Sequence, residues 1–199
     1  MAKAGLITAF INTNQRLEAL THSITVVNCK AVIYEPQLAK SIHEILPAVK
    51  EKNQSMRYFS FGAHVVPEGR DIPSQPLHEL LDQSSATDPI TLAKGNFSDK
   101  LYYIFTSGTT GLPKAAVIRN HRFQYMGVII RSLFNFTHKD NMYLTLPLYH
   151  NNAGTMGCAQ AVLFGITLTL RDKFSASNFW DDCIKYNCTA KPTFASSCT

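Results

Sequence analysis

Short apolar runs alternate along this chain with segments in which apolar residues recur three and four positions apart. The runs predict buried strands and the spaced residues predict amphipathic helices. The predicted strands cover residues 6–11, Ala31–Tyr34, 57–61, 101–105, 115–118, 142–148 and 166–170. The predicted helices cover residues 15–23, 36–46, a turn at 77–81, a helix from Asn120 that ends before Asp140, residues 153–164, and a last helix capped by Ser175 or Ser177 that ends at Tyr186.

This order of elements predicts an α/β fold in which helices flank a mostly parallel sheet. The pattern weakens over residues 47–95, where prolines and glycines are frequent, so this stretch is expected to be a surface connection. Trp180 is expected in the core. Asp181 and Asp182 are expected near the start of the last helix, where carboxylates favour the helix dipole, so a paired-carboxylate acid/base role is not expected.

The segment between the predicted strands 101–105 and 115–118 carries the clearest chemistry. It reads TSGTTGLPK, and its hydroxyls and glycines offer donors and little bulk, which suits a polyphosphate. The lysine that closes it adds a positive charge. The candidate phosphate-binding residues are Thr106, Ser107, Gly108, Thr109, Thr110, Gly111 and Lys114.

Two known phosphate loops do not match this segment. A Walker loop needs Ser or Thr after the lysine and opens into a helix, whereas Ala115 follows Lys114 here. The glycine-rich loop of protein kinases needs a G-x-G-x-x-G pattern that this segment lacks. A polar surface hairpin without a ligand stays open as the alternative from the residues alone.

Four segments resemble one known family, and together they span nearly the whole chain. YIFTSGTTGLPKAAV resembles the phosphate-binding signature of adenylate-forming (AMP-binding) enzymes, and YLTLPLYH resembles their second core motif. GLITAFINTNQRLEAL and KFSASNFWDDCIKYN are similar to segments of the fatty acid transport proteins, also called very long-chain acyl-CoA synthetases. The resemblance is weakest over residues 49–95.

The resemblance implies that residues 1–199 are part of the large N-terminal domain of an adenylate-forming enzyme, incomplete at both ends. The small C-terminal domain, the ribose-binding Asp and the coenzyme A site are expected to lie outside this chain. It implies a long-chain fatty acid–CoA ligase, in which ATP and Mg²⁺ first give an acyl-adenylate and coenzyme A then displaces AMP. The loop would hold the β- and γ-phosphates, with Mg²⁺ near Thr106 or Thr109.

His150 is the second candidate site residue. It follows the predicted strand 142–148, and ligands of α/β sheets tend to bind outside the carboxyl ends of strands. A histidine that is only hydrogen-bonded at a strand end would explain the residue alone. The family resemblance implies a place near the adenylate and acyl pocket instead, where His150 would orient the carboxylate or gate the acyl channel.

Composition and charge narrow the possible partners. The formal net charge of +5 comes from scattered residues, so nucleic-acid binding has little support. No C-x-x-C pair or zinc-ligand spacing occurs among the five cysteines, and no apolar stretch is long enough to span a bilayer. The resemblance implies membrane association at the endoplasmic reticulum, plasma membrane or peroxisome. The anchor would lie upstream of this chain, and the catalytic domain would face the cytosol.

Three functional hypotheses follow. The first is a fragment of a fatty acid CoA ligase coupled to fatty acid uptake. The second is a catalytically inactive truncated isoform that acts as a nucleotide- or partner-binding module, because the lysine and ribose elements are missing. The third is a transport or interaction protein without nucleotide chemistry.

Overall fold

The structure is a computed structural model that describes residues 1–62, 72–87, 95–107, 111–171 and 173–189. The chain forms two compact units. The first consists of Met1–Lys94 with Phe105–Ala116, and the second of Gly95–Ile104 with Val117–Thr199.

The first unit contains a three-stranded parallel sheet. The elements of this unit include β1 (Thr8–Phe10), α1 (Leu17–Val26), β2 (Ala31–Tyr34), a 3-10 turn (Pro36–Leu38), α2 (Ala39–Lys52), β3 (Arg57–Ser60), β4 (Ser74–Pro76) and α3 (Leu77–Asp82). Strands β2, β3 and β4 are hydrogen-bonded in that order, with Ala31 opposite Arg57 and Tyr58 opposite Ser74. The parallel pairing confirms the sheet type that the alternating pattern predicted.

Helices α1 and α2 pack together over the core of this unit. The prediction ended α2 at residue 46, but the helix continues to Lys52 with Pro47 inside it. A proline inside a helix costs about 3 kcal/mol. Ile45 and Val49 lie four residues apart and are almost fully buried, so they bring their apolar face to the core on both sides of the proline. Burial of these two side chains offsets the free-energy cost of the proline.

Strands β5 (Lys100–Thr106) and β6 (Lys114–Arg119) confirm the prediction that the polar loop joins two strands. They belong to a three-stranded sheet of order β1-β5-β6. Both strands contribute residues to both units, because the unit boundaries fall inside them.

The second unit contains a parallel pair of strands and four helical segments. Its remaining elements are α4 (Asn120–Phe134), β7 (Asn141–Leu144), a π-helical segment (Asn152–Gly157), α5 (Cys158–Phe164), β8 (Thr167–Leu170) and α6 (Phe179–Lys185). Asn141 lies opposite Thr167 in the β7–β8 pair. The predicted helix 153–164 forms in two parts, π-helical and then α-helical, and Gly165 ends it in the left-handed conformation.

Several predictions for this unit were wrong in detail. Arg119 rather than Asn120 occupies the N-cap position of α4, and the Asn120 side-chain amide donates to the Asn96 carbonyl at 2.8 Å. Trp180 is 60% exposed rather than in the core. Asn178, not Ser175 or Ser177, occupies the N-cap position of α6.

A hydrogen-bonded carboxylate fastens α6 to the β7–β8 pair. Asp182 lies in the first turn of α6, accepts a hydrogen bond of 2.6 Å from the buried Tyr143 hydroxyl of β7, and pairs with the Arg171 guanidinium. The bond from Tyr143, followed by the bond from Arg171, lowers the pKa of Asp182 below its usual range. The carboxylate therefore has a structural role.

We expect Asp182→Asn to lower the free energy of unfolding at pH 7 but to have a smaller effect at acid pH. Because the folded pKa is depressed, the stabilisation is present above the unfolded value of about 4 and is lost as pH falls through the folded pKa. Urea unfolding at pH 7 and pH 3 measures the difference. Asp181→Asn is the control, since Asp181 lies in the same turn and is exposed. A pH-independent difference for Asp182→Asn would contradict this assignment.

Candidate phosphate-binding loop and His150 turn

The two ends of the polar loop lie close together in the first unit. β5 ends at Thr106 and β6 begins at Lys114, and the Thr106 hydroxyl donates a long hydrogen bond of 3.5 Å to the Lys114 carbonyl. Thr106, Ser107 and Lys114 are exposed, so their hydroxyl and ammonium groups are accessible to a ligand. The predicted site residues Gly108, Thr109 and Thr110 lie outside the described residues.

Gly111 is required by its backbone conformation. Its φ of +88° lies in the left-handed region, where an L side chain is strained by about 1–2 kcal/mol. Among the described residues beyond its chain neighbours, none has an atom within 4 Å of an added Cβ. The glycine therefore serves the path of the chain into β6.

This loop is contacted by a histidine that the sequence did not predict to lie near it. His22 lies on α1, and its Nε2 is 3.1 Å from the carbonyl oxygen of Pro113, the residue before Lys114. The two residues are 91 positions apart. The periodicity of α1 places His22 on a helix, but no signal in the sequence pairs it with the loop.

The structure places His150 in the second unit, on a turn rather than directly after a strand. The strand prediction 142–148 was too long, because β7 ends at Leu144 and a turn occupies residues 148–149. The His150 N–H donates to the Pro147 carbonyl at 3.0 Å, and the Gly154 N–H donates to the His150 carbonyl at 2.8 Å. The His150 side chain is exposed, and its ring centroid is 4.7 Å from that of Tyr149.

A buried support lies beneath this turn. A Cβ on Gly154 would be 2.1 Å from the Leu148 carbonyl oxygen, so only glycine fits. The hydroxyl of Tyr102 contacts the Gly154 carbonyl at 3.3 Å and the Thr155 hydroxyl at 3.0 Å. Burial raises the pKa of Tyr102 to about 12, so the phenol stays protonated and keeps its donor. The π-helical segment, a geometry frequent at functional sites, begins beside this support.

An apolar pocket of about 490 Å³, including its open mouth, also lies in the second unit. Most of its wall is hydrocarbon from α4, β7 and the π-helical segment, and Thr145 and Asn152 add polar atoms. The lining residues are Ile130, Phe134, Phe136, Met142, Leu144, Thr145, Leu146, Asn152, Ala153, Met156 and Gly157.

The described ranges contain no group of three or more His, Cys, Asp and Glu side chains that could hold a metal ion. A magnesium ion bound together with a nucleotide needs only one or two protein ligands, since phosphates and water supply the others. The exposed Thr106 hydroxyl fits that limited role. Within the same ranges, no helix is both long and apolar enough to cross a membrane.

The loop and its two strands match a known protein family. A family model described as AMP-binding enzyme matches residues 1–196. The chain belongs to the AMP-binding enzyme family. Long-chain fatty acid transport protein 1 of Rattus norvegicus is 37% identical over 199 residues, which is 100% of this chain and 30% of the relative. Long-chain fatty acid transport protein 6 of Mus musculus is 39% identical over 189 residues, which is 95% of this chain and 29% of the relative.

Solved structures of other proteins share the fold. The inhibitor-bound N-terminal domain of FACL13 from Mycobacterium tuberculosis has a TM-score of 0.74 at 24% identity, over 96% of this chain and 44% of that one. ATP-bound MatB from Rhodopseudomonas palustris has a TM-score of 0.68 at 21% identity, over 92% of this chain and 33% of that one. The predicted α/β fold of an adenylate-forming N-terminal domain is confirmed, and this chain spans part of it.

Proposed function

We propose that this chain supplies the polyphosphate-binding part of an ATP-dependent fatty acid–CoA ligase. The observation that carries the proposal is the loop between β5 and β6, which has accessible hydroxyls at its start and an accessible ammonium at its end. The match of the AMP-binding family model to residues 1–196 supports ATP as the nucleotide. The ATP-bound state of the structural neighbour MatB agrees with this choice.

The reaction proceeds by two displacements. A fatty acid carboxylate oxygen attacks the α-phosphorus of ATP, an acyl-phosphate bond forms, and the bond to the departing pyrophosphate breaks. The thiolate of coenzyme A then attacks the acyl carbon and AMP leaves. We assign the first step to this chain and place the coenzyme A site outside it.

The loop would act by positioning and charge stabilisation. Thr106 and Ser107 would donate hydrogen bonds to the β- and γ-phosphates, and the ammonium of Lys114 would neutralise charge that builds up on the leaving pyrophosphate. Bound Mg²⁺ would supply further neutralisation of the phosphate oxygens, with Thr106 as its protein ligand. Gly108, Thr109 and Thr110 keep their predicted part as phosphate donors.

The second unit supports a fatty acid as the carboxylate substrate. Its pocket is walled mainly by aliphatic, methionine and phenylalanine side chains, which suits a hydrocarbon chain. The names of the relatives point to long-chain fatty acids as well. His150 would bind or orient the carboxylate through its exposed imidazole. Membrane association of the whole protein is proposed from the transport function in the relatives' names.

Thermal unfolding of the purified 199-residue chain tests the nucleotide site. We expect MgATP and magnesium pyrophosphate to raise the Tm, because a ligand that binds only the folded state stabilises it by about 2.7 kcal/mol at a hundred times its Kd. AMP lacks the β- and γ-phosphates and should give a much smaller rise. Equal effects of AMP and ATP, or no effect of ATP and pyrophosphate, would refute the proposed loop function.

A further inference from the structure

We propose that His22 is a positioning residue of the phosphate-binding loop, and that it acts through the carbonyl of Pro113. The inference rests on the proposed function of the loop and adds a residue from a distant part of the chain. The contact joins Nε2 of His22 to the Pro113 oxygen at 3.1 Å. A carbonyl oxygen only accepts hydrogen bonds, so Nε2 carries the proton in this contact.

The contact acts on the backbone of Lys114. The carbonyl of Pro113 and the N–H of Lys114 belong to the same planar peptide group. Holding the oxygen therefore orients the whole plane, up to the Cα of Lys114. On the other side of the same residue, the Lys114 carbonyl accepts a 3.5 Å bond from the Thr106 hydroxyl. The His22 contact is the shorter of these two side-chain anchors.

The helix that carries His22 is well fixed. Ser23 and Ile24, the next two residues of α1, are 0% exposed, and the Ser23 hydroxyl donates to the Gln15 side chain at 2.7 Å. Ile24 belongs to the core cluster that α1 shares with α2. His22 itself is half-buried, which limits the freedom of its ring. The anchor thus transmits the rigidity of the core to the end of the loop.

A fixed backbone at Lys114 matters because its side chain is long and flexible. Each rotamer-rich side chain that is immobilised on binding costs about 0.5–1.5 kcal/mol, and a mobile backbone adds to that cost. Gly111 lies three residues earlier, and a glycine restricts the backbone less than any other residue. His22 therefore lowers the cost of placing the ammonium against a polyphosphate.

Two amide substitutions test whether the hydrogen bond itself, rather than the presence of a side chain at position 22, positions the loop. His22→Gln has the reach to place an N–H near the position of Nε2, whereas His22→Asn is one methylene shorter and leaves the Pro113 carbonyl without this donor. His43→Gln and His43→Asn, at an exposed position of α2 in the same unit, control for the difference in helix propensity. Both pairs are made in the 199-residue chain.

Two readouts are measured on each variant: amide hydrogen exchange of the segment 111–116 without ligand, and the Kd for MgATP. We expect His22→Asn to speed exchange in this segment and to weaken MgATP binding about fivefold to tenfold, in line with the loss of one hydrogen bond. His22→Gln should restore both values to within about twofold of the unmodified chain. The two His43 variants should change neither.

The possible outcomes test the positioning role of His22 separately from the function proposed for the loop. Unchanged exchange in His22→Asn, or changed exchange with an unchanged Kd for MgATP, overturns the positioning role. Equal behaviour of His22→Asn and His22→Gln overturns it as well, because only their reach differs. Faster exchange in His22→Asn together with no MgATP binding by the unmodified chain refutes the function proposed for the loop and still supports the anchor.

Discussion

Lys114→Ala is expected to reduce the rise in Tm that MgATP gives and to weaken MgATP binding roughly 10- to 100-fold. The magnitude corresponds to the loss of one charge-assisted contact of about 1.5–3 kcal/mol. Lys114 is the first residue of β6 and its side chain is exposed, so the substitution removes no side chain from the core of the described residues. Calorimetric titration and thermal unfolding, with and without MgATP, measure the effect.

Lys40→Ala is the matched control, because Lys40 is an exposed lysine of α2 in the same unit. It should bind MgATP like the unmodified chain. Lys114→Arg keeps the charge but changes its shape, so we expect an intermediate affinity. The assignment of Lys114 would be wrong if Lys114→Ala and Lys40→Ala bound MgATP equally well.

Gly154→Ala is expected to lower the free energy of unfolding by about 3 kcal/mol or more. The added Cβ would be 2.1 Å from the carbonyl oxygen of Leu148, and backbone atoms cannot rotate away as a side chain can. The turn from Leu148 to His150 would have to move, and with it the 2.8 Å bond from the Gly154 N–H to the His150 carbonyl. Urea unfolding at neutral pH measures the loss.

Gly95→Ala provides the comparison for this substitution. Gly95 lies in the same unit, and an added Cβ there would meet its nearest neighbours at 3.9 Å, an ordinary contact distance. We expect its urea midpoint to stay close to that of the unmodified chain. Similar midpoints for Gly154→Ala and Gly95→Ala would show that the turn before His150 adapts without cost.

The share of the relatives that this chain covers affects how enzyme activity is tested. The chain spans 30% of long-chain fatty acid transport protein 1, so the experiments proposed here measure binding and stability rather than turnover. The proposed binding of phosphate groups and the proposed anchoring of the loop involve residues of the first unit. Both proposals can therefore be tested on this chain.

Local sequence determined the elements whose signals are themselves local. The aromatic run 101–105 and the apolar run 115–118 correctly bracketed a polar loop, because a strand and its turn depend on neighbouring residues. The helix predicted over residues 153–164 ends at Phe164, because Gly165 after it readily adopts the left-handed conformation that ends a helix. The resemblance carried by the loop also led to the correct family.

Tertiary burial decided the elements whose local signals were misleading. Pro47 predicted the end of α2, but the buried faces of Ile45 and Val49 keep the helix intact. Trp180 was predicted to lie in the core, yet its indole is 60% exposed. Tyr143 and Arg171 hold α6 through Asp182 instead. Hydrophobic content indicates which residues favour burial but does not indicate which faces meet.

By itself, the sequence determined the chemistry of the loop: hydroxyls, glycines and one lysine between two strands. Only the tertiary structure decided what supports that chemistry. It placed His22 against the Pro113 carbonyl, 91 residues away, and Tyr102 and Gly154 beneath the turn that carries His150. The physical reason is that the chemical groups a loop offers to a ligand can be read from its own residues. The hydrogen bonds and close approaches that hold such a loop in place join segments that meet only when the chain folds.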